Sequence, residues 1–323
     1  MNCLRVAIAV YLAFATAVLA AEPRTVLETW HDTARDRKIP VKIYLPDNLS
    51  ASTPVPVILF CHGLGGSREA ASYLGEDWAR HGFAGVFLQH PGSDTSVWRG
   101  KDGLPVAGAA RRMKAAASSE QYAARLKDVA FVLDELERLQ RATTEHPLKK
   151  TIDLNRIGYS GHSFGAVIGQ AEAGQLIGLA ARPISARDER IKAVILLSPA
   201  PPRHGGDDAF SKIAVPVLHV TGTHDETPFG DFKPADRQQP YRQTAAGDQY
   251  LVVFDGATHM TFGGDADRLR KTAGKEDAAV QTMVQNISIA FWNAYLRNDD
   301  AAKMWLREKA KAELRPADEY EWK

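Results

Sequence analysis

The chain of 323 residues is 45% hydrophobic, 24% charged and 8% aromatic, an ordinary globular balance that excludes collagen, coiled-coil, disordered and multi-span membrane architectures. Its 40 Lys and Arg face 39 Asp and Glu, a formal net charge of +1, so no field of one sign points to nucleic acid or acidic lipid as a partner. A small or weakly charged partner fits that balance.

In chain order, the first feature is an address. Residues 1–21 carry Arg5, an apolar run from Val6 to Ala15 and small residues around Val18 and Ala20. That is the pattern of a secretory signal peptide cut after Ala20 or Ala21. Read instead as an uncleaved anchor, the Ala-rich run is short for a hydrocarbon core of ~30 Å, and no basic cluster follows it. The segment predicts export to the periplasm or the cell exterior, with no stable membrane insertion after cleavage. Cleavage removes Arg5 and no acid, which leaves the two signs equal. It also removes Cys3, and the remaining Cys61 ends the run VPVILFC, where it reads as a buried small hydrophobe rather than a reactive thiol.

Beyond the leader, short apolar runs alternate with amphipathic stretches. Strands are predicted at 26–30, 41–45, 55–61, 84–89, 156–160, 192–198, 215–221 and 249–254. From 55 onward these runs are nearly continuous in Val, Ile, Leu and Phe, as strands covered on both faces are. The first two, separated by the polar Asp32–Lys38 stretch, predict an antiparallel hairpin at one edge. Helices are predicted over Ser67–His81, with Ser67 as N-cap and Gly82 as the stop, over Glu120–Leu139 and over Val280–Leu296. The expected fold is α/β, a mostly parallel sheet of about eight strands flanked by helices with right-handed crossovers. Residues 22–323 read as one domain. The stretch 92–119, with Arg99, Lys101, Arg111, Arg112 and Lys114, is either a partial lid over a site or a solvated loop.

The most informative segment is RIGYSGHSFG at 156–165, a strand that runs into Gly161-His162-Ser163-Phe164-Gly165 ahead of a small-residue helix. This G-x-S-x-G turn pushes a serine hydroxyl to the apex of a strained strand-to-helix elbow. Side chains at 161 and 165 would collide with the neighbouring strand and helix. A base and an acid should follow on loops after later strands, where open α/β sheets gather their functional groups. The loop after VPVLHVT holds Asp225, with Glu226 and Asp231 as competing acids, and the loop after QYLVVF holds His259. Among ten histidines, His259 alone follows the last predicted strand in a Gly-containing loop. The segment HGLGG at 62–66 follows the first buried strand, which makes the backbone N–H groups of Leu64 and Phe164 the expected oxyanion donors.

These segments resemble the α/β-hydrolase superfamily, and more narrowly its dienelactone-hydrolase-like and platelet-activating-factor-acetylhydrolase-like branch. The residues that carry the resemblance are HGLGG at 62–66, HPGSD at 90–94, RLKDVAFVLDEL at 125–136, GHSFG at 161–165 and the Asp225 and His259 loops, spanning Val55 to His259. The resemblance implies an α/β-hydrolase fold and cofactor-free, metal-free hydrolysis of a small-molecule carboxylic ester by a Ser–His–Asp triad. Ser163 departs from dienelactone hydrolases proper, which use cysteine. A serine peptidase on the same fold and a catalytically silent binding protein are the competing readings. Trp98, Phe229, Phe232, Met260 and Phe262, with Phe164, lie on loops expected at the mouth, as pocket wall or as core. His224, Asp225 and Glu226 are consecutive, so their side chains diverge and are not expected to chelate a metal.

Overall fold

The computed structural model describes residues 23–100, 107–179, 182–202, 206–227, 233–264 and 275–323. The leader at 1–21 lies outside them, as do Lys101, Phe229, Asp231 and Phe232. All eight predicted runs form strands: β1 (Arg24–Asp32), β2 (Arg37–Leu45), β3 (Val55–Cys61), β4 (Ala84–Leu88), β5 (Ile152–His162), β8 (Ile191–Leu197), β9 (Val217–His224) and β10 (Gln249–Thr258). Three further strands lie outside those runs. β6 (Leu176–Leu179) and β7 (Arg182–Ser185) make a separate hairpin, and β11 (Glu319–Trp322) adds a ninth strand to the main sheet.

The sheet order is β1-β2-β4-β3-β5-β8-β9-β10-β11. The six strands from β4 to β10 are parallel, while β1 and β2 pair antiparallel at one edge and β11 antiparallel at the other. Side chains alternate faces along a strand, and here both faces are apolar. In β3, Val57, Leu59 and Cys61 join one core cluster while Ile58 and Phe60 join the other. β8 divides likewise, with Val194 and Leu196 on the first side and Ala193, Ile195 and Leu197 on the second. That two-sided burial explains the unbroken apolar runs.

The helices that cover the sheet follow the predicted periodicities. Helix α3 (Ser119–Arg141) lays Val129, Val132, Leu133 and Leu136 on one face, beside α4 (Phe164–Ala173). The Ser118 hydroxyl caps α3 by accepting from the Gln121 N–H at 3.3 Å. On the other face, α1 (Ser72–Arg80) packs with α6 (Lys275–Leu296), where Val284, Ile287 and Phe291 repeat at helical steps. Between α1 and α3 lies α2 (Ala109–Ala116); α5 (Gln239–Gln243) precedes β10, and α7 (Asp300–Glu308) and α8 (Ala310–Glu313) precede β11.

Helix α1 starts five residues later than Ser67 suggested. The Ala71 N–H donates to the Gly263 carbonyl at 2.8 Å, and Ala71 takes a left-handed φ of 52°, so the helix begins beyond it. Ser67 instead closes a local turn, its hydroxyl accepting from Glu69 N–H. Cys61 is buried, as expected, and burial pushes its thiol up to about 12, far from reactivity. Among the described residues, no helix is long and apolar enough to cross a membrane.

The α1–α6 contact is aromatic. Trp292 meets Trp78 edge-on with ring centroids 5.9 Å apart, both rings are fully buried, and Gly158 leaves the room Trp292 fills. Trp292→Ala is expected to lower unfolding free energy by about 3–5 kcal/mol in urea titration. A loss below about 1 kcal/mol would contradict this packing.

Candidate active site

The site is assembled at the carboxyl ends of β5, β9 and β10. Where β5 passes into α4, Ser163 sits at φ 54°, ψ −114°, a strained conformation for a residue with a side chain. Its N–H donates to the Leu197 carbonyl at 2.9 Å, which fixes the turn against β8. The two glycines are required, as the sequence indicated. A Cβ at Gly165 would lie 1.9 Å from the Cys61 carbonyl oxygen, and one at Gly161 would lie 2.5 Å from the Gly165 backbone. Phe164 is the first residue of α4, so its N–H has no acceptor within the helix.

Three distant side chains meet in front of this turn. The Ser163 Oγ lies 2.9 Å from His259 Nε2, and His259 Nδ1 lies 2.7 Å from Asp225 Oδ1. Asp225 is fully buried, and its other oxygen accepts from the Thr221 hydroxyl at 2.8 Å. Burial pushes the Asp225 carboxyl up, but the His259 hydrogen bond and the Arg237 charge outweigh it and hold the group below its ordinary range. Of the competing acids, Glu226 is exposed and Asp231 lies outside the described residues.

The segment 62–66 lies against the serine. A Cβ at Gly63 would come within 3.3 Å of Ser163 Cβ, and the half-buried Leu64 follows directly. Part of the 92–119 stretch packs on this loop. Gly65 N–H donates to Ser93 O and Thr95 N–H to Gly66 O, both at 2.9 Å, while Trp98 Nε1 donates to Gly65 O at 2.7 Å. A Cβ at Gly65 would meet Trp98 and Met113 at 3.0 Å. Phe164 stacks on Tyr122 with centroids 6.4 Å apart, and Met260 is exposed beside His259. Phe262, by contrast, is core: it is fully buried against Phe254.

Several residues that hold the site lie inside the segments that carry the family resemblance, although none was singled out there as a site residue. His162 Nε2 lies 2.8 Å from the His259 carbonyl oxygen; a carbonyl only accepts, so Nε2 carries the proton and the ring tethers the base loop. His62 accepts from His90 N–H at Nε2, 3.0 Å away, which leaves Nδ1–H to donate to Gly63 O at 2.6 Å. Arg125, fully buried on α3, donates to His62 O at 2.6 Å and Ser93 Oγ at 2.8 Å, and its guanidinium lies 4.3 Å from the Phe164 ring. Behind it, Asp128 accepts from Arg35, Arg37 and His90 at 2.7–3.0 Å. One signal was present: Arg125 and Asp128 begin the RLKDVAFVLDEL segment, at a helical spacing that puts both on one face. Among the described residues, no group of three His, Cys, Asp or Glu is placed to hold a metal ion.

With this geometry in hand, comparison with known proteins places the fold. No family model matches the chain. It is 23% identical over 300 residues to platelet-activating factor acetylhydrolase of Cavia porcellus, covering 83% of this chain and 63% of that protein. It is 24% identical over 238 residues to the Bos taurus protein of the same name, covering 67% and 49%. The chain thus spans about half to two thirds of the length of these relatives. Among solved structures, a ferulic acid esterase from Streptomyces cinnamoneus aligns over 86% of this chain and 90% of its own with a TM-score of 0.55 at 19% identity. The fold is the α/β-hydrolase fold. The name platelet-activating factor acetylhydrolase agrees with one of the two esterase groups that the sequence motifs resemble.

Burial makes the supporting histidines a source of acid sensitivity. Burial and the Arg125 charge pull His90 down to about 4 and His62 well below its ordinary value. Burial and the nearby His259 ring pull His162 down to about 3. The unfolded chain, with histidines near 6.5, therefore binds protons that the folded chain refuses, and their stabilising effect is complete above that pH. Stability in urea is expected to fall steadily from about pH 6.5 to about pH 4, more gently for His90→Gln than for wild type. A stability curve flat across that interval would contradict the buried, neutral assignment.

Proposed function

We propose that the protein is an exported serine hydrolase that cleaves small carboxylic esters through an acyl-enzyme intermediate, with Ser163, His259 and Asp225 as its triad. The carrying observation is the continuous contact from Asp225 Oδ1 through both nitrogens of His259 to the Ser163 hydroxyl, at 2.7 and 2.9 Å, on a strained elbow. The relatives' names, an acetylhydrolase and a ferulic acid esterase, favour a carboxylic ester over an amide. Residues 1–21 support export, and 22–323 act as one catalytic domain in this reading.

In the proposed cycle His259 Nε2 takes the Ser163 proton as Oγ attacks the ester carbonyl carbon. The carbonyl π electrons move onto oxygen, which the N–H groups of Leu64 and Phe164 receive; one such donor is commonly worth about 3 kcal/mol. Asp225 holds the imidazole with Nδ1–H toward it and stabilises the imidazolium. His259 then gives its proton to the leaving alkoxide as the C–O bond breaks, leaving the acyl group on Oγ. Water, deprotonated by His259, attacks the acyl carbon and releases the acid, and Ser163 recovers its proton. Trp98 and Phe164 border the acyl side, with the 92–119 segment as a partial cover of the donor loop. Phe229, Phe232 and Met260 are the remaining wall candidates.

Full-length protein is expected to hydrolyse p-nitrophenyl acetate with a stoichiometric burst and to leave aminoacyl p-nitroanilides nearly untouched. Ser163→Ala should lower kcat/KM at least ~10⁴-fold. The acylation rate should fall in acid, where His259 gains a proton and stops acting as a base. Undiminished hydrolysis by the Ala variant, a rate flat down to pH 4, or amide turnover matching ester turnover, would overturn the proposal.

A further inference from the structure

The triad reading leaves one buried charge unexplained. Arg237, in the 3-10 turn Pro234–Gln238, is 1% exposed, yet its guanidinium touches the ends of three successive parallel strands. Its Nε donates to the Asp225 carbonyl oxygen at 2.8 Å and lies 2.8 Å from Asp225 Oδ1. Nη1 donates to Ser198 O at 3.0 Å and Pro199 O at 2.9 Å, in the loop after β8. Nη2 reaches His259 Nδ1 at 3.1 Å.

That last contact is informative. The ring nitrogen 2.7 Å from Asp225 Oδ1 carries a hydrogen in the tautomer that leaves Nε2 free to accept from Ser163, so Arg237 Nε–H and His259 Nδ1–H converge on one carboxylate oxygen while Nη2–H faces Nδ1–H, donor against donor. Asp225 favours a positive ring; a guanidinium at 3.1 Å opposes one. His259 therefore lies beside an ion pair rather than a bare carboxylate. Other groups facing the ring among the described residues are Ser163 and the neutral His162, whose ring centroid is 4.8 Å away. The exposed Glu226 acts on Arg237, adding to Asp225 in opposing the burial that pulls the guanidinium down.

Resting on the triad reading, we propose that Arg237 is a positioning residue: it binds the acid, base and post-β8 loops into one unit and sets its charge against protonation of the His259 ring, offsetting the pull of Asp225. Removing its charge leaves Asp225 unopposed beside the ring, so the ring protonates more readily. A role confined to bracing loops would lower activity or stability without moving the pH midpoint of kcat/KM taken per folded molecule.

The test is the acid limb of kcat/KM for p-nitrophenyl acetate, measured from pH 4.5 to 9 on full-length wild type and the Arg237→Gln, Arg237→Met and Arg237→Lys variants. The folded fraction, followed by far-UV circular dichroism at each pH, normalises kcat/KM, so that acid unfolding does not enter the midpoint. The expected result is a midpoint raised by about one pH unit in the Gln and Met variants and returned most of the way by Lys. Midpoints in the Gln and Met variants equal to wild type would overturn the proposal, whatever the loss in rate. Should neither fold, ¹⁵N-histidine NMR titration of wild type and Arg237→Lys decides: a His259 ring that gains its proton at higher pH in the Lys variant supports the proposal, and an identical titration overturns it. Wild type with no ester hydrolysis at any pH would instead sink the triad reading, and this proposal with it.

Discussion

Helix α4 crosses the end of β3 at backbone contact distance, and the geometry around Ser163 follows from that approach. The Gly165 α-carbon presses on the Cys61 carbonyl so closely that a methyl group there would sit 1.9 Å from the oxygen. The chain leaving β5 must turn sharply to reach this position, which forces Ser163 to φ 54° and turns its side chain out of the sheet. Such a backbone state persists only where the surroundings over-determine it. Here β5 is paired with β3 and β8, the Ser163 N–H is held by Leu197, and Tyr159 Oη donates to the Gly165 carbonyl at 2.8 Å from beneath. The two apolar layers supply rigidity; the elbow concentrates it at one hydroxyl.

The loops that complete the site are held by buried charge rather than by apolar packing. Arg125 serves the side carrying Gly63 and Ser93, and Arg237 serves the side carrying Asp225 and His259. Burial pulls Arg125 down to about 10, still positive at neutral pH, and its donors meet backbone and hydroxyl oxygens. Burying a guanidinium costs several kcal/mol unless its hydrogens find acceptors, so each arginine also constrains the loops that supply them. Disulfides play no part among the described residues, where Cys61 is a buried free thiol. Polar bridges between loops therefore do the work that crosslinks do in many exported proteins.

Much of this was legible in the sequence because it is local or periodic. Continuous apolar runs marked strands buried on both faces, and the spacing from Tyr122 to Leu139 marked α3. Gly161 and Gly165 revealed the elbow, since only a backbone collision demands both. Asp225 and His259 were reached through the rule that functional groups follow parallel strands. What escaped depends on distant partners. The start of α1 is set by Gly263, nearly the whole domain away, and no feature of residues 67–72 encodes it. His62, His90, Arg125 and Asp128 lie in segments that carry the resemblance, but their contacts with one another exist only once those loops converge. Arg237 follows a stretch of Pro, Phe and Asp residues without periodicity. Strand β11, EYEW, alternates Glu with an aromatic residue, but it is four residues long and lacks the apolar run that marked the other sheet strands. Phe262, left open between mouth and core by its nearness to His259 in sequence, is core, because the tight turn at Thr258–Thr261 sends it back inside.

The central claim is that Ser163 is a nucleophile activated by His259. It is tested most directly by treating the full-length protein with a fluorophosphonate and locating the adduct by mass spectrometry of its peptides. The account predicts one phosphonyl group per chain, on the peptide bearing Ser163, formed far more slowly in the His259→Ala protein. An unmodified Ser163 in a preparation that still hydrolyses esters, or labelling at another residue, would contradict it.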